Sequence, residues 1–332
     1  MTDRRFRVVV TDFIADELAP EKEILGDIAD VVALNAFSEE DLRGSIEDAD
    51  AIMLYHNLSI RQETIARLTR CKLIVRCGVG FDNVDYRFAR ERGIDVGNVP
   101  DYGTEEVADS AIGMMLTLTR GIHYLNATLQ NKPGEWTYLP VAPLHRLRGR
   151  TFGVLGLGRI GTAAALRAKA LGMDVLFYDP YRPDGTDKSF GLRRVDSLED
   201  LLRQSFVLSL HTPLTPETKQ IIDAAAIAKM APGSYLVNTS RGAVADPHAV
   251  LDAVLSGHLA GAGLDVLPTE PPSEDDRLLR AWRDPQSPAY SRLILNPHSA
   301  FYCEEGLREM RTKGSQACRK ALLNLPLTNR IN

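Results

Sequence analysis

An α/β protein with two parallel-sheet domains is the fold class that the sequence predicts, and three observations carry the expectation. Short β-branched runs alternate with helical stretches, the alternation pauses once at a long helical pattern, and it then restarts behind a glycine-rich turn. With 332 residues the chain has room for two such domains.

In the first series, apolar runs at 6–10, 31–34, 51–54, 73–76 and 95–96 are expected strands. After Asn98-Val99-Pro100 the texture becomes one helical pattern from Glu105 to about Leu129, with Thr104 placed to cap it and Glu105 and Glu106 in its first turn. A crossing helix at a domain boundary is implied. Residues 131–150 hold three prolines, two glycines and Trp136 without a sustained period, and are expected to be a connecting loop. The second series has strands at 151–155, 174–178, 206–210, 234–237, 260–264 and 293–295, the count a doubly wound nucleotide domain needs. A terminal helix begins near Glu304.

Composition narrows the function classes. The 39 basic and 44 acidic residues are interleaved and leave a net charge of −5, so no footprint for nucleic acid is present. Cys71, Cys77, Cys303 and Cys318 show no CxxC spacing, which suits reduced thiols in the cytoplasm rather than a disulfide frame or a metal site. The opening run MTDRRFRVVVTDF is too short in apolar residues for a signal segment or a membrane span, so neither export nor a membrane partner is expected.

Thr151-Phe-Gly-Val-Leu-Gly156-Leu-Gly158-Arg159-Ile160-Gly161 places GxGxxG between an apolar strand and an alanine-rich helix. Gly156 allows the tight turn, Gly158 lets a pyrophosphate approach the backbone, and Gly161 permits close packing, while the helix start offers free N–H groups to negative charge. On its own such a motif is often only a glycine-rich turn. Here the next strand ends at Asp179, close to the offset of about 20 residues at which a carboxylate meets the adenosine ribose. NAD is therefore the expected cofactor, preferred over NADP, although Arg182 stands nearby.

Reducing a ketone by hydride transfer needs a proton donor, a cation for the substrate carboxylate and a hold on the nicotinamide. Three strand-end loops can supply them. Asn238-Thr239-Ser240-Arg241-Gly242 offers the planar fork of Arg241 to a carboxylate. Gly263-Leu264-Asp265-Val266 leads to Glu270-Pro271-Pro272, and Asn296-Pro297-His298-Ser299 ends the last strand. A carboxylate at Glu270 beside His298 would favour the imidazolium, the acid form required for ketone reduction. Each residue alone has a plainer explanation as surface pair, solvated loop or helix cap. Their order behind a nucleotide motif favours the catalytic one.

These runs resemble the D-isomer-specific 2-hydroxyacid dehydrogenases, in which GLGRIG, a strand-ending aspartate, NTxRG, LDV, EP and PH follow in this order over nearly the whole chain. Met53-Leu-Tyr55-His56, the run from Ile74 through Arg76, Gly78, Val79 and Gly80 to Asn83, Val175 to Tyr181, and His298-Ser-Ala-Phe-Tyr302 look like the C-terminal-binding protein branch. The resemblance implies two Rossmann-like or flavodoxin-like domains with an active-site cleft between them. Residues 1–101 and 299–332 would form a discontinuous substrate domain and residues 102–298 the NAD-binding domain.

By the same resemblance, Arg241 binds the carboxylate and keto oxygen, His298 moves the proton, Glu270 supports it and Asp265 holds the carboxamide. Thr104, Arg159, Ile160, His211, Thr212, Pro213, Thr239 and Ser240 line the cofactor beside the glycine turn and Asp179. Tyr55, Arg76, Val79, Gly80 and Phe301 meet the substrate, a small 2-keto or 2-hydroxy acid with a fairly apolar side chain. A homodimer through the central domain is implied. Departures are that Phe301 stands where the corepressors carry tryptophan, that residues 273–292 exceed the usual link and form a lid, a dimer contact or, most simply, a solvated loop, and that Glu270 replaces the glutamine of formate dehydrogenases. The tail is too short for the regulatory domain of many phosphoglycerate dehydrogenases. An NAD(H)-sensing scaffold of the corepressor type is the competing expectation.

Overall fold

The structure is a computed structural model that describes residues 4–131 and 136–332. The chain packs as two compact units, Met1–Gly103 with Cys303–Asn332, and Thr104–Tyr302.

In the first unit, β1 (Phe6–Val10), β2 (Ala29–Ala33), β3 (Ala51–Leu54), β4 (Leu73–Arg76) and β5 (Asp95–Asn98) form one parallel sheet in the order β2-β1-β3-β4-β5. Val8, Val9, Val10 and all four residues of β3 and of β4 are buried, as expected where helices cover both faces of a parallel sheet. Strand order reverses between β1 and β3, so the carboxyl ends at Val10 and Leu54 flank a crevice-forming switch point. The terminal helix Glu304–Leu322 docks on β3 and β4. It is anchored by Arg311, whose guanidinium meets Asp16 at 2.6 Å and the fully buried Glu21 at 2.7 Å, so a buried carboxylate is matched by a two-pronged cation.

In the second unit, β6 (Thr151–Leu155), β7 (Asp174–Tyr178), β8 (Arg193–Arg194), β9 (Val207–Leu210), β10 (Ser234–Asn238), β11 (Leu259–Leu264) and β12 (Leu293–Leu295) form a second parallel sheet, ordered β12-β11-β10-β9-β6-β7-β8. Its switch point lies between β6 and β9, where the glycine turn leaves the sheet. The helix Arg159–Ala170 packs Ala164, Ala165 and Ala168 against the helix Thr104–Arg120, because three alanines allow the two axes to approach closely. The expected single helix over 105–129 is two helices, Thr104–Arg120 and Ile122–Asn131, broken at Gly121 with φ +64°. Thr104 is the first helical residue rather than the cap.

Two further departures have physical causes. Strand β8 has only two residues, both arginines, so no apolar alternation announces it. Residues 273–292 are not a solvated loop: they contain the helices Arg277–Arg283 and Pro288–Arg292, which bury Leu278 and Ala289 in one core cluster with residues of β11 and β12, and bury Leu279 as well. Asp276 and Ser287 cap the two helices through Leu278 N–H and Ala289 N–H. Of the expected connecting loop over 131–150, Asn131 ends the helix before it and residues 132–135 lie outside the described residues; the remainder is irregular apart from one turn at Leu139–Val141.

With Leu278 at 1 % exposure, Leu278→Ala is expected to cost about 2–5 kcal/mol in urea unfolding. A cost near zero would return the segment to the solvated-loop expectation.

Candidate functional site

The nucleotide end of the second unit is built by backbone approach. Gly156 has φ +89°, and a Cβ there would stand 2.8 Å from Thr212 Cγ2 and 3.0 Å from His211 O. A Cβ on Gly161 would stand 2.1 Å from Gly156 O, so the helix can start this close to the turn only without a side chain at that position. Gly158 flanks the helix without a side-chain cap, which leaves the first-turn N–H groups available. Arg159 is exposed and Ile160 half-buried in that first turn.

Asp179, at the carboxyl end of β7, accepts hydrogen bonds from Leu157 N–H at 2.8 Å and Tyr181 N–H at 3.0 Å, and Arg182 Nε lies 3.5 Å from Oδ2. The first bond ties the glycine turn to the carboxylate, a link the sequence gives no sign of. Opposite the turn, His211 Nε2 meets Ser209 Oγ at 2.8 Å, and burial pushes the imidazole down to about 4. His211 Nδ1, Thr212 Oγ1 and Thr239 Oγ1 are buried with no hydrogen-bond partner among the described residues. Three orphaned polar atoms around a backbone cradle fit a ligand rich in phosphate and hydroxyl groups, which is what a dinucleotide presents. Pro213 is exposed, and its carbonyl accepts from Thr218 Oγ1.

The second constellation is assembled from three strand ends. The side chain of Asn238, 1 % exposed, donates Nδ2 to Arg241 O and accepts through Oδ1 from Ser240 N–H and Ser240 Oγ, so it moulds the turn that carries Thr239, Ser240 and Arg241. A Cβ on Gly242 would stand 1.9 Å from the carbonyl carbon of Leu267, which presses this turn against the backbone that leads to Glu270. Asp265 N–H bonds Asn238 O at 2.9 Å across the β10–β11 pair.

His298 sits in left-handed conformation with φ +53°, and its N–H donates to Asp265 O at 2.8 Å. The Asp265 carboxylate accepts from Ser299 N–H at 2.9 Å and Ala300 N–H at 3.1 Å. Burial drives the Asp265 carboxyl up from its ordinary value, those two backbone bonds and His298 oppose the rise, and Glu270 adds to it. His298 Nδ1 and Glu270 Oε2 are 2.7 Å apart, and the other oxygen of Glu270 accepts from Leu267 N–H at 2.8 Å. The imidazole remains reachable, with its side chain 20 % exposed. Phe301 stands edge-on to the ring, centroids 6.2 Å apart.

In the second unit the structure thus brings Glu270, His298, Asp265 and Phe301 together, and ties the Arg241 turn to the same backbone. Thr104 begins the crossing helix and is half-buried. The first unit holds Arg76, 6 % exposed, whose Nη1 donates to Cys77 O, and the half-buried Val79 and Gly80, with Val79 O accepting from Asn98 Nδ2. The expectation for Tyr55 is corrected. Its side chain is 0 % exposed and burial lifts its hydroxyl well above the usual range, so it has no surface to offer an acid. The ring pair beside it is Phe13 with His56, centroids 4.5 Å apart. Asn238 and the Leu157 amide are the contributors that sequence reasoning missed; strand-end position was the available signal for Asn238.

A family model described as D-isomer specific 2-hydroxyacid dehydrogenase, NAD binding domain, matches residues 112–300. The chain belongs to the D-isomer-specific 2-hydroxyacid dehydrogenase family. Its second unit contains the NAD-binding domain of that family. It is similar to the D-3-phosphoglycerate dehydrogenase of Methanocaldococcus jannaschii, 33% identical over 98% of this chain and 59% of that protein. It spans about three fifths of the length of the curated relatives it matches. Among solved structures it is similar to the TT0316 protein from Thermus thermophilus, with TM-score 0.86 and 29% identity over 98% of this chain and 100% of that one. It is also similar to the D-lactate dehydrogenase of Aquifex aeolicus complexed with NAD and lactic acid, with TM-score 0.80 and 28% identity over 96% of each chain. No described helix is long and apolar enough to cross a membrane.

Two outcomes test this geometry. Gly161→Val should weaken NADH binding roughly tenfold or more by fluorescence titration while the far-ultraviolet spectrum is kept, and wild-type affinity would mean that the turn does not hold the dinucleotide. Because the folded chain takes up the His211 proton only near 4 and an unfolded chain near 6.5, stability from this group is full above 6.5 and is withdrawn as the pH falls. Wild type should therefore lose more unfolding free energy than His211→Asn over that window in urea titrations, and equal slopes would mean a hydrated ring.

Proposed function

We propose that the chain interconverts a 2-keto acid and a D-2-hydroxy acid, with His298 as the acid and base, Glu270 as its support and Arg241 as the grip on the substrate carboxylate and keto oxygen. The observation that carries this reading is the 2.7 Å contact between His298 Nδ1 and Glu270, with the other carboxylate oxygen fixed on Leu267 N–H. A carboxylate immobilised in this way keeps a proton on Nδ1 and leaves Nε2 to hand one over. Bound NADH supplies the hydride that the keto carbon receives. As that carbon is reduced, the imidazolium gives its proton to the carbonyl oxygen, and in the opposite direction the neutral ring takes it back from the hydroxyl.

On the same reading the glycine turn and the helix after it hold the pyrophosphate, Asp179 the ribose, and Thr104, His211, Thr212, Pro213, Thr239, Ser240 and Asp265 the rest of the cofactor. Arg76, Val79 and Gly80 of the first unit contribute to acid binding, and Phe301 supplies an apolar contact beside His298. The first unit is thereby the substrate domain. The resemblance to the C-terminal-binding protein branch belongs to this proposal as well, on the runs around Arg76 and His298. A homodimer is proposed, supported by Ile122, Trp136, Tyr138 and Leu139, which are 55 %, 90 %, 71 % and 66 % exposed along one stretch of the second unit. Among the described residues no disulfide joins Cys71, Cys77, Cys303 or Cys318, which suits a reducing compartment, the cytoplasm.

The decisive experiment is NADH oxidation over a panel of 2-keto acids with wild type and His298→Gln. Turnover by wild type with at least one acid, a loss of about 10²–10⁴ in kcat for the variant and unchanged NADH binding are expected. If the variant turned over like wild type, the histidine would lose its role. If no acid were turned over and NADH instead drove self-association, the scaffold reading would stand in its place.

A further inference from the structure

We propose that Asp12 and Asn83 are positioning residues for acid binding in the first unit: from opposite sides they fix the turn at residues 55–58 and, through it, the loop that carries Val79 and Gly80. This rests on the assignment of Arg76, Val79 and Gly80 to the acid.

Asp12 follows β1 and is 0 % exposed. A carboxylate buried to that extent is costly unless donors surround it. Its Oδ1 accepts from Thr11 Oγ1 at 2.7 Å and from Tyr55 N–H at 2.9 Å, and its Oδ2 accepts from Asn57 N–H at 2.8 Å. The N–H side of the turn after β3 thus ends on one side chain from the neighbouring strand. Asn83, in the loop after β4, takes the carbonyl side: its Nδ2 donates to Tyr55 O and to Leu58 O, each at 2.8 Å. Four main-chain polar groups of one turn are held by two side chains, and an apolar replacement for either would strip partners from two of them.

The same bonds reach the acid loop. Cys77 N–H donates to Leu54 O at 2.7 Å and Asn83 O accepts from Ile60 N–H at 2.9 Å, so residues 77–83 are tied to the β3 turn at both ends. Their middle is tied to β5, where Asn98 Nδ2 donates to Val79 O at 2.8 Å and Val99 N–H donates to Gly78 O at 3.2 Å. A Cβ on Gly78 would stand 1.6 Å from Arg76 Nη1, so the start of this loop lies directly against the guanidinium. A shift of the turn therefore moves the loop relative to Arg76. It also moves an apolar surface, because Phe13, left-handed at φ +67°, sets its ring 4.5 Å from that of His56 in the same turn.

Asp12 acts on an anionic ligand in two opposed ways. Its charge offsets part of the attraction of Arg76, while its hydrogen bonds keep the loop in place. Burial pushes the Asp12 carboxyl up, and Thr11 and the two amides each oppose that rise more than Arg76 does, so the hydrogen bonds are the larger influence. Removing the carboxylate should weaken acid binding rather than strengthen it.

Steady-state kinetics of the full chain with a 2-keto acid that wild type turns over test this on Asp12→Asn, Asn83→Ala and the double variant, beside NADH titration and thermal melts. Each single variant should raise KM for the acid about tenfold, with kcat within about threefold and NADH affinity unchanged. Because both act through one turn, the double variant should raise KM by less than the product of the single effects. A variant that folds and keeps wild-type KM, or a KM that falls in Asp12→Asn, would overturn the proposal. Arg76→Lys separates the two failures. If it raises KM while the other variants do not, the positioning role alone is lost; if it too leaves KM unmoved, the assignment of the first unit to acid binding is lost with it.

Discussion

The histidine loop depends on one buried carboxylate. Asp265 offers its carbonyl to His298 N–H and its side chain to the next two amides, so three consecutive backbone donors end on a single residue that is 2 % exposed. These bonds hold His298 in the left-handed region, where a histidine is uncommon and stays only if its surroundings over-determine it. Burial disfavours the charge on Asp265, and the amides are what offset that cost. The imidazole is then positioned twice, through its backbone by Asp265 and through its ring by Glu270.

Electrostatic work is divided between the two ends of the same sheet edge. At the switch point lie neutral backbone donors and orphaned hydroxyls, and the imidazole of His211 is held uncharged by desolvation. Farther along, at the ends of β7 and β8, formal charges cluster as Asp179, Arg182 and Arg194. Neutral donors near the helix start suit a ligand whose own charge is large, because they stabilise it without bringing counter-charges that must be desolvated. There the two arginines are partly exposed while Asp179 is buried beside them.

Most of the fold was legible because parallel strands buried on both faces read as apolar runs, and among the described residues eleven of the twelve strands follow such runs. The exception, β8, pairs Arg193 and Arg194 at a sheet edge and carries no pattern. Gly121 splits a pattern that looks continuous because its neighbours on both sides keep helical periodicity. Residues 273–292 read as solvated because charges dominate them, while two of the few apolar positions, Leu278 and Ala289, join the core. At the site, motif order pointed to Glu270 beside His298 and to the glycine turn. It could not reveal that Asn238 moulds the Arg241 turn, since those bonds run from a side chain to nearby backbone. Tyr55 was placed wrongly because a β3 end adjoins a loop, and alternation alone does not say whether the last ring turns inward.

The contact at Gly242 has a consequence for anyone who would redesign this chain. Where two main chains touch with no room for a methyl group between them, the Arg241 turn and the approach to Glu270 behave as one mechanical part. Transplanting either segment alone from a homologue would misalign its neighbour. The two have to be exchanged together.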